Sequence, residues 1–335
     1  MDEALTMLAP YGPSFRGGLS NHGPMTVEAL VGLGREDAVL PWVERYRKRL
    51  EARPSTTRRI TLETWREALG KGSRNRDWDE WFANELAEAD WRDVLGVWMP
   101  RLAPGMAAAG LHGVIRVGHA VSSLKVKESA LRLDELARAL GYYASQYLAL
   151  PGEYSAPGKL APSSALGQLA LLPNSQRRTR GLITSELGDL VGYEPFTEAI
   201  DLVDPAQGSP TFLADLVATS AGLLINTESS SFEFLHGVTG AGAVSEIYPY
   251  VPEAERALVL AYTWQVTASL FVRYGKPKLV AVVPAAASQL SLEALAKLAV
   301  ESGDEHTIKL VCACTREWAR NPDPRFLAAA QDRVQ

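Results

Sequence analysis

Apolar residues recur at spacings of three and four along most of the chain, and strict alternation of apolar and polar positions is scarce. The pattern predicts a mainly α protein with few or no strands. Val39, Trp42, Val43, Tyr46 and Leu50 form one stripe, while Glu44, Arg45, Lys48 and Arg49 fill the opposite side, as in an amphipathic surface helix. Trp78, Trp81, Phe82 and Leu86 repeat the arrangement. Residues 131–150 carry Leu133, Leu136, Ala137, Leu140, Tyr143 and Tyr147 on one face, with Pro151 and Gly152 as the stop signal. Later helices, over 212–224, 254–274 and 292–300, are more apolar all round. Residues 151–179 are rich in Pro, Gly, Ser and Ala and read as a long loop within a single helical domain spanning 1–335. A β-branched run from Lys278 to Val283 predicts one short strand, closed by Pro284.

Composition narrows the class. With 335 residues, 47% of them hydrophobic, the chain has ample material for a core and falls outside the disordered range. Lys and Arg number 34 against 39 Asp and Glu, so no general attraction to phosphate backbones or anionic lipid is expected, and neither nucleic acid nor a membrane surface is an expected partner. The longest apolar stretch, 257–272, is interrupted by Thr263, Gln265 and Thr267 and is too short to span a bilayer. Two cysteines, Cys312 and Cys314, cannot build a disulfide framework or a zinc ribbon, which suits a reducing cytoplasm. The opening Met-Asp-Glu-Ala-Leu lacks the basic and apolar regions of a signal peptide.

The five histidines carry the chemical signal. His22 lies in Asn21-His22-Gly23-Pro24, and the string Leu-His-Gly-Val occurs twice, around His112 and around His236. Glycine beside an imidazole lets a ligand, a metal or another backbone approach, and neutral imidazole is a common ligand of iron, zinc and copper. Taken singly, each histidine is more simply a core residue bonded to a carbonyl. Yet none of His22, His112, His119 and His236 has a charged neighbour in sequence, so the set reads as buried.

His112 and His119 are seven residues apart, roughly 10 Å along a helix, too far for one metal to take both. One is therefore expected as a ligand and the other as a residue beside it or facing a substrate, His119 leaning back toward His112. Arg116, four residues after His112, either carries positive charge toward a substrate oxygen or pairs with a core carboxylate. His306 and Lys309 share a helical face at a spacing of three. Lys309 lies among apolar residues; drawn inward, its amine would lose affinity for the proton and become able to react with carbon dioxide to give a carbamate, an oxygen ligand. Snorkelling to solvent is the commoner fate of such a lysine.

No Gly-x-Ser-x-Gly elbow, phosphate-binding loop or His-Glu-x-x-His pair occurs, and Gly240-Ala241-Gly242 only half-matches a dinucleotide fingerprint. From about Asn21 onward the ordered strings Asn21-His22-Gly23-Pro24-Met25, Leu111-His112-Gly113-Val114-Ile115-Arg116, Leu235-His236-Gly237-Val238-Thr239-Gly240 and Asp304-Glu305-His306-x-Ile308-Lys309 resemble the questin oxidase family. That family is associated in fungi with oxidative cleavage of anthraquinone rings, described as Baeyer–Villiger-type or dioxygenase chemistry. The resemblance implies a mostly helical fold and a non-haem iron held by His22, His112, His236, His306 and a carboxylated Lys309. His119 then falls outside the ligand set. Fungal relatives differ after the His112-type residue, with another His near the Arg116 position and an aromatic near His119, a departure that bears on substrate more than on metal.

The expected activity is thus attack of dioxygen on a polycyclic aromatic substrate, with His119 as base or proton shuttle, Arg116 beside it, and NADPH or another reductant an open question. Tyr142, Tyr143, Phe232, Phe234, Tyr262 and Trp264 are candidate walls for a flat substrate. Two other classes fit the same residues: a metal-dependent hydrolase using a carbamylated lysine, and a metal-free helical binding protein for an apolar ligand.

Overall fold

The computed structural model describes residues 1–179, 181–205, 209–227, 231–276 and 290–335. These residues form seventeen α-helices, eight short 3-10 turns and one two-stranded antiparallel hairpin in which Ser14–Phe15 pairs with Leu19–Ser20. The mainly α architecture follows from the helical spacing of the apolar residues. The strand expected at Lys278 to Val283 lies outside the described residues.

Several helices fall where the pattern places them. The Trp78 stripe becomes Asn75–Glu88, whose Trp78 and Phe82 are fully buried. The apolar segments become Ser209–Ile225, Glu253–Tyr274 and Leu292–Ser302. The helix expected to run to Leu150 ends earlier, as Ala130–Ser145, and is capped at its start by Ser129. The following 151–179 stretch holds only a short helix, Pro162–Ala165, and tight turns. It nevertheless packs firmly: Leu166 and Leu172 are buried, and the Leu172 amide donates to the Val272 carbonyl at 2.9 Å.

Four helices position the histidines. Gly23–Gly32 is buried on nearly every side and packs on His112–Val126 and Glu305–Arg320, while His112–Val126 also packs on Ser231–Ile247. Small residues permit this closeness. A Cβ at Gly118 would meet the Ala243 Cβ at 2.6 Å and its Cα at 2.7 Å, so the His112 and His236 helices touch backbone to backbone there. Gly240 makes room for the Leu111 side chain, whose Cδ2 would lie 2.5 Å from an added Cβ, so the Gly240-Ala241-Gly242 string sits in helix packing in the middle of Ser231–Ile247. Buried apolar side chains from Ala4 to Ala330 join in one contiguous core. No helix among the described residues is long and apolar enough to cross a membrane.

Candidate metal centre

Four of the histidines sit in or just before the first two turns of a helix. His22 is the residue capping Gly23–Gly32, held by a hydrogen bond from its own amide to the Tyr46 hydroxyl at 2.6 Å. Asn21 tightens that entry, accepting the Gly23 amide at 2.9 Å and donating to the Gly12 carbonyl at 2.8 Å. His112 is the first residue of its helix and follows a strained turn in which Ala109, Gly110 and Leu111 all have positive φ (50°, 63° and 71°). For alanine and leucine such a backbone costs of order 1–3 kcal/mol each, and it persists because the surroundings dictate it. His306 is the second residue of Glu305–Arg320, whose cap Asp304 accepts the Thr307 amide at 2.8 Å. His236 lies in the second turn of Ser231–Ile247.

These starts converge. The His22 ring centroid is 4.7 Å from that of His112 and 4.5 Å from that of His306, and His236 is 4.7 Å from His112 and 5.5 Å from His306. Ligand nitrogens of His22, His112 and His306 lie within 4.8 Å of one another. Lys309, fully buried, brings Nζ to 2.7 Å from His22 Nδ1. The snorkelling expected of an ordinary lysine does not occur, because the face that carries Lys309 is the one the helix turns toward the imidazoles. The glycines beside the histidines, by contrast, serve the protein. Added Cβ atoms at Gly23, Gly113 and Gly237 would strike or press on Leu8, Tyr143 and Leu270.

The hydrogen bonds fix tautomers. His112 Nδ1 donates to the Ala109 carbonyl at 2.6 Å and His236 Nδ1 to the Phe232 carbonyl at 2.7 Å, so each ring presents an unprotonated Nε2. Those two Nε2 atoms face one another at 3.3 Å. Two acceptor lone pairs at that distance repel unless a cation lies between them. Protonation is a poor answer, since burial, together with the charges of Lys309 and the neighbouring imidazoles, pulls His22, His112 and His236 well below the usual imidazole range. Two nitrogens bound at about 2.0–2.1 Å to one ion, at bond angles between square and tetrahedral, are separated by about 2.8–3.4 Å. The His306 Nε2 is buried with no hydrogen-bond partner, a further donor atom awaiting an acceptor or an ion. Desolvation likewise lowers Lys309 to about 7, despite Glu305 and Asp304 nearby. The donor set fits a transition-metal ion.

The cluster opens on a cavity of about 320 Å³ lined by His22, His112 and His306 at its base and by Phe15, Phe232, Leu182 and Ile183 along its walls. Arg16, Arg49, Glu305 and Gln146 are also on its surface. Of the aromatic residues singled out from sequence only Phe232 lines it. Tyr143, Phe234 and Trp264 belong to the core, and Tyr142 acts from behind, through a 2.7 Å hydrogen bond to Ser20. Phe15 and Arg49 carry no sequence signal for a site; the paired Gly17-Gly18, both at positive φ, at least marks the turn of the hairpin that supplies Phe15.

Arg116 and His119 lie away from the cavity. Arg116 makes a bidentate pair with Glu135 (2.7 and 2.9 Å), buried inside the bundle, and does not line the cavity. His119 Nδ1 hydrogen-bonds Glu28 at 2.6 Å, and Arg316 reaches the same carboxylate at 2.6 Å. The lean of helical side chains does not recover the axial rise between His112 and His119, so His119 faces a separate small cleft beside Glu246, Arg316 and Arg320. Glu28, His119 and Arg316 tie together the three helices that carry His22, His112 and Lys309, one layer farther from the cavity. That polar tie left no trace in the spacing of apolar residues.

No protein-family model matches the chain. A search of curated proteins returns no relative either.

Proposed function

We propose that the chain is a non-haem iron oxygenase acting with dioxygen on a planar, electron-rich aromatic substrate. The observation that carries this reading is the pair of fixed imidazole Nε2 atoms, 3.3 Å apart, within a buried group of four histidines and one lysine at the base of a cavity. The resemblance of the His22, His112, His236 and His306–Lys309 strings to the questin oxidase family supports the same assignment. These five side chains would hold the metal. Bound iron supplies the redox chemistry that brings dioxygen to an electron-rich ring.

The chain's own contribution is arrangement and exclusion. The Ala109 and Phe232 carbonyls hold two imidazoles in the ligating tautomer, and burial keeps the rings neutral. Phe15 and Phe232 offer flat apolar walls to a ring held above the histidines. Lys309 has the neutral amine needed for carbamate formation. Nζ bonds to the carbon of CO2, one C=O pair moves onto oxygen, and an N–H proton leaves to water in the cavity. The product turns a neutral amine into an anionic oxygen donor beside the four imidazoles that would hold the ion.

The test begins with metal analysis of protein purified aerobically without chelators. About one iron per chain is expected, and oxygen uptake should follow addition of a hydroquinone. Substoichiometric metal of every kind would overturn the reading. Stoichiometric metal with ester or amide hydrolysis and no oxygen uptake would replace it with a carbamylated-lysine hydrolase.

A further inference from the structure

The cavity's rim carries charge that the histidine cluster does not use. Arg49 stacks its guanidinium on the Tyr46 ring, 4.1 Å from the centroid, and stands 5.8 Å from that of Phe15. Glu305 takes one end of the fork through Nη2, while Nε is buried with no hydrogen-bond partner. A guanidinium presents several donors in one plane, matched to an oxyanion's two lone-pair directions. The Arg49 side chain is 36% exposed and only its Nε is shut away, so an acceptor entering the cavity would supply the partner that this donor lacks.

Two independent features point the same way. Arg16, at the hairpin tip with φ 45°, is a second cation on the same cavity, against Glu305 as the one carboxylate among its described lining residues. Three helices of ten, fifteen and sixteen residues also begin at His22, His112 and His306, aiming the positive ends of their dipoles at the cavity floor. The walls are apolar. Leu182 and Ile183 line them, and Leu19 and Phe232 are left 45% and 44% exposed, an arrangement that water alone does not satisfy.

We infer that the cavity selects a planar aromatic compound bearing one negatively charged oxygen substituent, with Arg49 as the binding residue for that oxygen and Phe15 and Phe232 as the walls for the ring. The inference rests on the proposed reading of this cavity as the substrate chamber and adds the charge of the substrate to it. Glu305 acts as a competitor for the same guanidinium, so it tunes the preference. Because Glu305 adjoins His306, the anionic oxygen is held on the His306 side of the cavity, with the ring extending toward the hairpin.

The test is calorimetric binding of naphthoate and of its neutral isostere naphthamide to the purified full-length protein. Wild type should bind naphthoate about tenfold or more tightly than naphthamide. Arg49→Met should abolish that ratio while leaving naphthamide affinity within about twofold; Arg49→Lys should keep part of it, and Glu305→Gln should enlarge it. Equal binding of the two rings by wild type, binding of neither, or an unchanged ratio in Arg49→Met overturns the inference. Should Arg49→Met fail to fold, Glu305→Gln decides, since a ratio it does not raise removes Arg49 as the anchor. Neither turnover nor metal enters the measurement. An Arg49-dependent ratio in protein without stoichiometric metal would sink the oxygenase reading alone, and iron-loaded protein with no charge preference would sink this inference alone.

Discussion

Gly118→Ala is the perturbation through which packing should reach chemistry most directly. An added Cβ would lie 2.6–2.9 Å from the Cβ, Cα and carbonyl oxygen of Ala243, where carbon–carbon contact is comfortable only at about 3.5–4.0 Å. Backbone cannot swing aside as a side-chain tip can, so the His112 and His236 helices must part by roughly 1 Å. Six residues separate Gly118 from His112, about 9 Å of helix, so much of that displacement reaches the Nε2 pair. The gap is now 3.3 Å, and two metal–nitrogen bonds span at most about 4.2 Å even when collinear. Overpacking should lower the unfolding free energy by about 1–3 kcal/mol, and metal affinity, read by chelator competition, should fall about 10–100-fold. Gly242→Ala is the control on the partner helix. Its new Cβ meets only Ala313 at 3.7 Å and Glu317 at 3.9 Å, so helix propensity should stabilise the protein by about 0.5–1 kcal/mol with metal binding unchanged. Unaltered stability and chelator midpoint in Gly118→Ala, or equal damage from Gly242→Ala, would refute the reasoning.

Further expectations concern the other buried groups. Glu135→Ala strands Arg116 inside the bundle and should cost about 3–5 kcal/mol in urea unfolding; a loss of activity at unchanged stability would instead restore Arg116 to catalysis. Lys309→Met keeps volume and removes the amine, so metal content should fall below about a tenth of wild type while the metal-free protein holds or gains about 1–4 kcal/mol; full metal occupancy in this variant would dismiss Lys309 as a ligand. For Glu246, burial pushes the carboxyl up, but the charge of Arg320 and hydrogen bonds from Lys125 and Arg320 more than offset it, leaving it at about 2. The native state therefore holds fewer protons than the unfolded chain between about pH 2 and 4.5, so its contribution of about 3 kcal/mol is present above pH 4.5 and fades on acidification toward 2. Glu246→Gln should flatten the acid limb of a stability–pH curve, and an unchanged limb would mean that another group governs it.

The helices were legible because burial on one face writes a period of three and four into the chain, and the runs around Trp78, Phe212 and Ala254 retain it. His22, His112, His119 and His236 stood out because none has a charged neighbour in sequence, and all four prove buried or nearly so. Other features depend on which helix meets which, and periodicity does not encode that. Lys309 reads as a snorkelling lysine until its helix is turned toward His22. Arg116 and His119 read as site residues until Glu135 and Glu28, distant in sequence, claim them. Arg49, on the polar side of an amphipathic stripe, becomes a cavity residue only when Glu305 arrives from the other end of the chain.

The strands Ser14–Phe15 and Leu19–Ser20 pair only with each other, whereas the floor beneath them includes the His112 and His236 helices, packed closely at Gly118 and Gly240. The far end of this hairpin is tied down, because Ser20 is buried against Tyr142 and leads straight into Asn21 and His22. The turn, residues 16–19 with the exposed Leu19, is therefore where the mouth of the cavity can be reshaped with least strain on the imidazoles.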